Sequence, residues 1–180
     1  MATTERPSSR VDYIEGQETS RIAPYIWAIT RISLGWVFLW AFLDKAFGLG
    51  RATPAENAWF DGGSPTNGFL ANAPVGPFKD FYNGLAGATW ADWIFMIGLL
   101  AIGVALILGI GVWIAAITGA IMLVLMWTAV LPPENNPFMD DHLIYAMVLI
   151  GLAAIHAGDV WGLGKQWAST GLVRRYPILR

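Results

Sequence analysis

The chain reads as long apolar runs, interrupted only by short clusters of charge, proline or paired glycine. The longest run extends from Trp93 to Pro133, 41 residues without a charged side chain. As one straight helix it would measure about 60 Å, about twice the hydrocarbon thickness of a bilayer, so it must fold back. Gly109-Ile110-Gly111 lies near its middle and supplies residues suited to a tight turn. The pattern therefore predicts a hairpin of helices over 90–108 and 112–131. Pro132-Pro133 closes it, because neither ring carries a helical N–H donor. Two further spans are predicted over 25–47 and 141–161. Asp140 or Asp141 can cap the start of the last one, and Gly162 and Gly164 can end it. The expectation is an all-α integral membrane four-helix bundle. A removable signal sequence does not fit the first span, which is too long and lacks a small-residue cleavage pattern after it.

Composition supports that expectation. Hydrophobic residues make up 56% of the chain and charged residues 13%, against about 25% charged in a soluble domain. So few charges cannot cover a water-facing surface, and membrane lipid is the expected partner. The ten tryptophans suit the two bilayer interfaces, where indole rings collect. A net charge of −2 without a basic stripe gives no nucleic-acid signal. With no cysteine, disulfides, iron–sulfur ligation and thiolate zinc sites are excluded.

Orientation follows the distribution of Lys and Arg. The N-terminal tail carries Arg6, Arg10 and Arg21, and the C-terminal tail Lys165, Arg174, Arg175 and Arg180. The opposite side has only Arg51 and Lys79. Both termini are expected in the cytoplasm, making this a multi-pass protein of the cytoplasmic membrane. The organisation is a polar tail over 1–23, a membrane domain over 24–167 with a long outer loop at 48–89, and a basic tail over 168–180. Within the loop, Pro77 to Tyr82 is a candidate amphipathic surface helix. Ala101, Ala105 and Gly109, and likewise Ala116 and Ala120, recur at the four-residue spacing that lets helices approach closely in lipid.

Ionisable residues inside a span are costly and need a partner or a purpose. Arg31 and Asp159 fall at the same inner depth, on the first and last spans, and are expected to form an ion pair. At the outer end, Asp44, Lys45, Asp92, Asp140, Asp141 and His142 gather under the long loop. The expected ligand pocket there is lined by Trp40, Lys45, Trp93, Trp127, His142 and Tyr145, aromatic walls with a few converging polar groups. His142 and His156 are 14 residues apart on one predicted helix, roughly 21 Å by helical rise, and cannot ligate opposite faces of one haem iron. No haem, iron–sulfur, zinc or other metal site is evident.

The stretch from Arg31 to Lys45, RISLGWVFLWAFLDK, resembles the opening helix of the DoxX family of small four-helix membrane proteins. The stretch from Met126 to His142, MWTAVLPPENNPFMDDH, resembles the DoxD-like branch of that family, and the likeness extends over about 24–167. Members are similar to the large subunit of thiosulfate:quinone oxidoreductase, which oxidises thiosulfate to tetrathionate, reduces a membrane quinone, and works with a second, smaller subunit. The resemblance thus implies a quinone cofactor and a partner subunit. In that reading Trp40, Trp93, Trp127 and Tyr145 form the slot, His142 donates a proton with Asp141 orienting it, and Lys45 attracts an anion. The rival reading is a non-catalytic accessory or anchoring subunit of a larger membrane complex, with the uncharged hairpin and the long loop as its interfaces.

Overall fold

A computed structural model describes residues 21–180, so most of the N-terminal polar tail, with Arg6 and Arg10, lies outside the described residues. Among those residues all regular structure is helical. Helix α1 spans Ala23–Phe47, with Pro24 in its first turn, where a missing N–H costs nothing. It ends at Gly48, whose φ of 60° is a left-handed conformation. The connection to the next long helix contains two short helices, α2 (Asn67–Asn72) and α3 (Lys79–Asn83), the latter within the candidate surface segment. The hairpin is α4 (Thr89–Leu108) and α5 (Val112–Ala129), with Gly109 and Gly111 both at positive φ in the turn. Helix α6 spans Asp141–Ala154, and α7 (Gly164–Ala168) and α8 (Gly171–Arg175) complete the chain.

Three of these helices, α1, α4 and α5, are long and apolar enough to cross a membrane. The fourth is not. Helix α6 ends at Ala154, seven residues before the expected boundary at 161. Its 14 residues rise only about 21 Å, short of the roughly 30 Å of hydrocarbon. The chain unwinds at His156, which takes a left-handed φ of 52°. Gly158 then presses against the hairpin turn, where a β-carbon would sit 2.4 Å from the Gly109 carbonyl oxygen.

Packing is strongest in two pairs, α1 against α4 and α5 against α6, whereas α4 and α5 touch less than hairpin partners can. Glycine sets the first pair. A β-carbon on Gly103 would lie 2.7 Å from the Leu39 amide nitrogen, and one on Gly35 3.0 Å from that of Ile107. The expected small-residue seam of α4 is thus displaced. Ala101 is exposed and Ala105 half-buried, both on the side facing a cleft, while the close helix contact uses Gly103. Ala116 is fully buried in the shared core with Phe38, Ile102 and Leu149.

Candidate functional site

Two ends of the bundle carry the polar chemistry. At the end where α1 begins, Arg31 is completely buried. Its guanidinium donates to five backbone carbonyls and no carboxylate. Two, Leu106 and Ile107 (3.0 Å), belong to the last turn of α4, where helical carbonyls have no partner of their own. The others, Ala157 (3.2 Å), Val160 (3.1 Å) and Trp161 (2.9 Å), lie in the unwound stretch after α6. The expected Arg31–Asp159 ion pair is therefore corrected: Asp159 instead binds Arg180 of the C-terminus at 2.7 Å. The negative end of α4 and three loop carbonyls suit a planar five-donor cation better than one carboxylate would.

At the opposite end, two of the gathered carboxylates are clips for the long loop. Asp44 is buried and accepts the amides of Arg51 (3.1 Å) and Ala52 (3.0 Å), closing the turn after α1. Asp92 is buried and accepts the Thr66 amide (3.0 Å), the Thr66 hydroxyl (2.7 Å) and the Ser64 hydroxyl (3.0 Å). Tyr82 adds a third fastening, donating to the Leu125 carbonyl at 3.0 Å beside the Thr128 hydroxyl. Val75 adds a fourth, its amide reaching the Ala129 carbonyl at 2.9 Å. The loop is thereby fixed to the end of α1, the start of α4 and the end of α5.

Beneath it, between α4 and α5, runs a cleft of about 1360 Å³. Gly98, Ala101 and Ala105 hollow out one wall, and Ile114, Thr118 and Met122 form the other. Phe69, Phe81 and Tyr82 of the loop cover one end, and Trp167 reaches the other. Lys45 is the only Lys, Arg, His, Asp or Glu in the lining, and it sits at the loop end near Thr53, Asn57 and Thr66. It is half-buried, and its neighbour Asp44 is already engaged by loop amides. Its ammonium has no hydrogen-bond partner among the described residues. An apolar trough with one cation at its loop end, beside the Asp44 carboxylate, can take a long molecule with a polar, electron-rich head.

The family follows from this chain's own sequence. The DoxX family profile matches residues 26–131, from α1 through the end of the hairpin. The chain belongs to the DoxX family. It is accordingly a membrane protein with apolar membrane-length helices, in contact with lipid. No curated protein and no solved structure matches the chain.

Of the expected pocket residues, only Lys45 lines the cleft. Trp93 is 54% exposed and stacks edge-on against Trp59 of the loop at 4.7 Å. Trp40 pairs with Trp36 along α1 at 5.8 Å. Trp127 donates from Nε1 to the Phe138 carbonyl at 2.8 Å and packs on that ring, holding the α5–α6 connection. Tyr145 is exposed on α6. His142 belongs to this second locality. Its Nδ1 lies 2.7 Å from Asp140 Oδ2 and 3.6 Å from Asp141, so Asp140, not Asp141, orients it. Asp140 also caps α6 through the Leu143 amide at 3.2 Å. Ligand atoms of Asp140, Asp141 and His142 lie within 4.8 Å of one another, close enough to share a cation. The cap and the histidine contact already account for Asp140.

The cleft was missed because its lining is mostly uncharged. Its signal was present in Gly98, Ala101 and Ala105, which read equally well as a packing seam.

Proposed function

We propose that this DoxX chain is a cytoplasmic-membrane subunit of a quinone-linked oxidoreductase, and that the cleft between α4 and α5 holds the quinone. The observation that carries the reading is the placement of Lys45, a cation without a hydrogen-bond partner among the described residues, at one end of an apolar trough that runs along two membrane-length helices. The isoprenoid tail lies along Gly98, Ala101 and Ala105, and the ring sits under the loop. Lys45 donates to a ring oxygen, an interaction that strengthens as electrons arrive and negative charge builds there.

The likeness of its 126–142 stretch to the DoxD-like branch points to thiosulfate as the electron source. Two thiosulfates join through a new S–S bond to give tetrathionate and release two electrons. The quinone takes both, with two protons, to become quinol. A smaller partner subunit completes the enzyme in this reading. Helix α6 with the segment after it makes a fourth crossing, and both termini lie in the cytoplasm. His142, held by Asp140 away from the cleft lining, then has no direct part in protonating the ring.

The test is turnover. The purified chain, alone and with any co-purifying subunit, is mixed with thiosulfate and a soluble quinone, and quinone loss and tetrathionate are measured. Stoichiometric formation of both products that falls sharply in Lys45→Met supports the proposal. Saturable quinone binding without turnover assigns the chain a quinone-holding role only. Absence of both favours an accessory subunit.

A further inference from the structure

We propose that the C-terminal segment, residues 161–180, is a docking platform for anionic phospholipid headgroups at the bilayer surface where α4 turns into α5. This is independent of the quinone reading. The segment contains Lys165, Arg174, Arg175 and Arg180 and no Asp or Glu. Of these cations only Arg180 is paired, with Asp159. Lys165, Arg174 and Arg175 are exposed and make no ion pair among the described residues. Large apolar side chains stand among them: Leu172, Tyr176 and Ile178 are each about half exposed. Arg175 lies over the Tyr176 ring at 5.5 Å. Interleaved basic and apolar side chains are what a segment lying in the headgroup region presents.

The segment is fastened to the membrane helices. Leu163 donates to the last residue of α4, Leu108, at 2.8 Å, and Trp167 Nε1 donates to the Leu179 carbonyl at 2.5 Å. The Trp113 amide at the start of α5 reaches the Arg180 carbonyl at 3.4 Å, and Val173 is buried. These contacts hold the segment at the hairpin turn, where hydrocarbon gives way to headgroups. Tyr25 and Trp161, 5.4 Å apart, mark the same level with the aromatic pair typical of that boundary. Apolar side chains there enter the acyl boundary, while Lys165, Arg174 and Arg175 meet phosphate. Anionic lipid is favoured over zwitterionic lipid because each cation then adds attraction to a negative surface.

The native chain has no cysteine, so Ile178→Cys carries a single environment-sensitive fluorophore. The full-length protein is placed in vesicles of phosphatidylcholine alone, or with about one third phosphatidylglycerol. We expect a blue-shifted emission in the anionic vesicles, relative to the neutral ones. Lys165→Gln, Arg174→Gln and Arg175→Gln together remove the difference. Identical emission in both lipids, or an unchanged shift in the triple variant, overturns the proposal. Unlabelled protein gives the second reading. Its thermal unfolding midpoint in mixed micelles rises with phosphatidylglycerol more than with phosphatidylcholine, and the triple variant loses that preference. An equal rise with both lipids, or binding of an acidic polymer without any lipid preference, also overturns it.

Discussion

Arg31 Nε donates to the Ala157 carbonyl at 3.2 Å, tying the first helix to the stretch where the last one has unwound. With its four other donations it supplies the hydrogen bonds that the end of α4 and the unwound stretch would otherwise lack in an environment poor in water. Arg31→Met therefore strands several buried carbonyls at about 1–3 kcal/mol each and should prevent stable folding. Arg31→Lys restores charge but offers three donors for five positions and should remain clearly destabilised. Asp159→Asn loses only a partly exposed contact to Arg180 and should cost about 1 kcal/mol or less. Comparable losses for Arg31→Met and Asp159→Asn in detergent unfolding would restore the direct ion pair.

Glycine substitutions separate backbone contact from contact with a flexible side chain. A β-carbon on Gly103 meets the Leu39 backbone, which cannot move aside without shifting α1, so Gly103→Ala should cost about 1–3 kcal/mol. At Gly98 the obstacle is the terminal methyl of Met122 at 2.6 Å, a flexible side chain beside the cleft. Gly98→Ala should be nearly neutral. Thermal unfolding of the two variants side by side decides it.

The long loop between α1 and α4 is held by carboxylates. Asp92→Ala removes the acceptor for three donors from Ser64 and Thr66 and should free that part of the loop. Limited proteolysis should then cut around residues 61–68 faster than in the parent, with the helices intact by circular dichroism. An unchanged cleavage rate would mean that other contacts hold the loop.

The three long helices were legible because burial in lipid writes itself into the sequence as uncharged length, as from Trp93 to Pro133, with Gly109 and Gly111 marking the turn. The end of α6 was not. The carbonyls of Ala157, Val160 and Trp161 just beyond Ala154 accept hydrogen bonds from Arg31, more than a hundred residues earlier, a long-range partnership that no local pattern announces. The charges expected to share one pocket serve different structures. Asp44 and Asp92 look identical in sequence to members of a binding site, yet both serve loop backbone. His142 falls with Asp140 in the α6 cap, apart from the cleft lining that contains Lys45.

The shortness of α6 makes its crossing testable. Asn135→Cys precedes α6 and Gln166→Cys follows it, both at exposed positions. With a fourth crossing, an impermeant thiol reagent should label them from opposite sides. Asp61→Cys in the loop between α1 and α4 should share the side of residue 135. Labelling of 135 and 166 from one side would reduce the protein to three crossings.

Quinone binding to the purified protein tests the central claim most directly. Trp90 and Trp167 line the cleft, so a bound quinone should quench tryptophan emission with a saturable dependence on concentration. Ala101→Phe fills the trough and should weaken binding about ten-fold or more. Lys45→Met removes a charge-assisted hydrogen bond worth about 1.5–3 kcal/mol, again about ten-fold or more in affinity. His142→Ala, outside the lining, should bind as the parent does. Parent-like affinity in both Ala101→Phe and Lys45→Met, or quenching that never saturates, would contradict the assignment of the cleft.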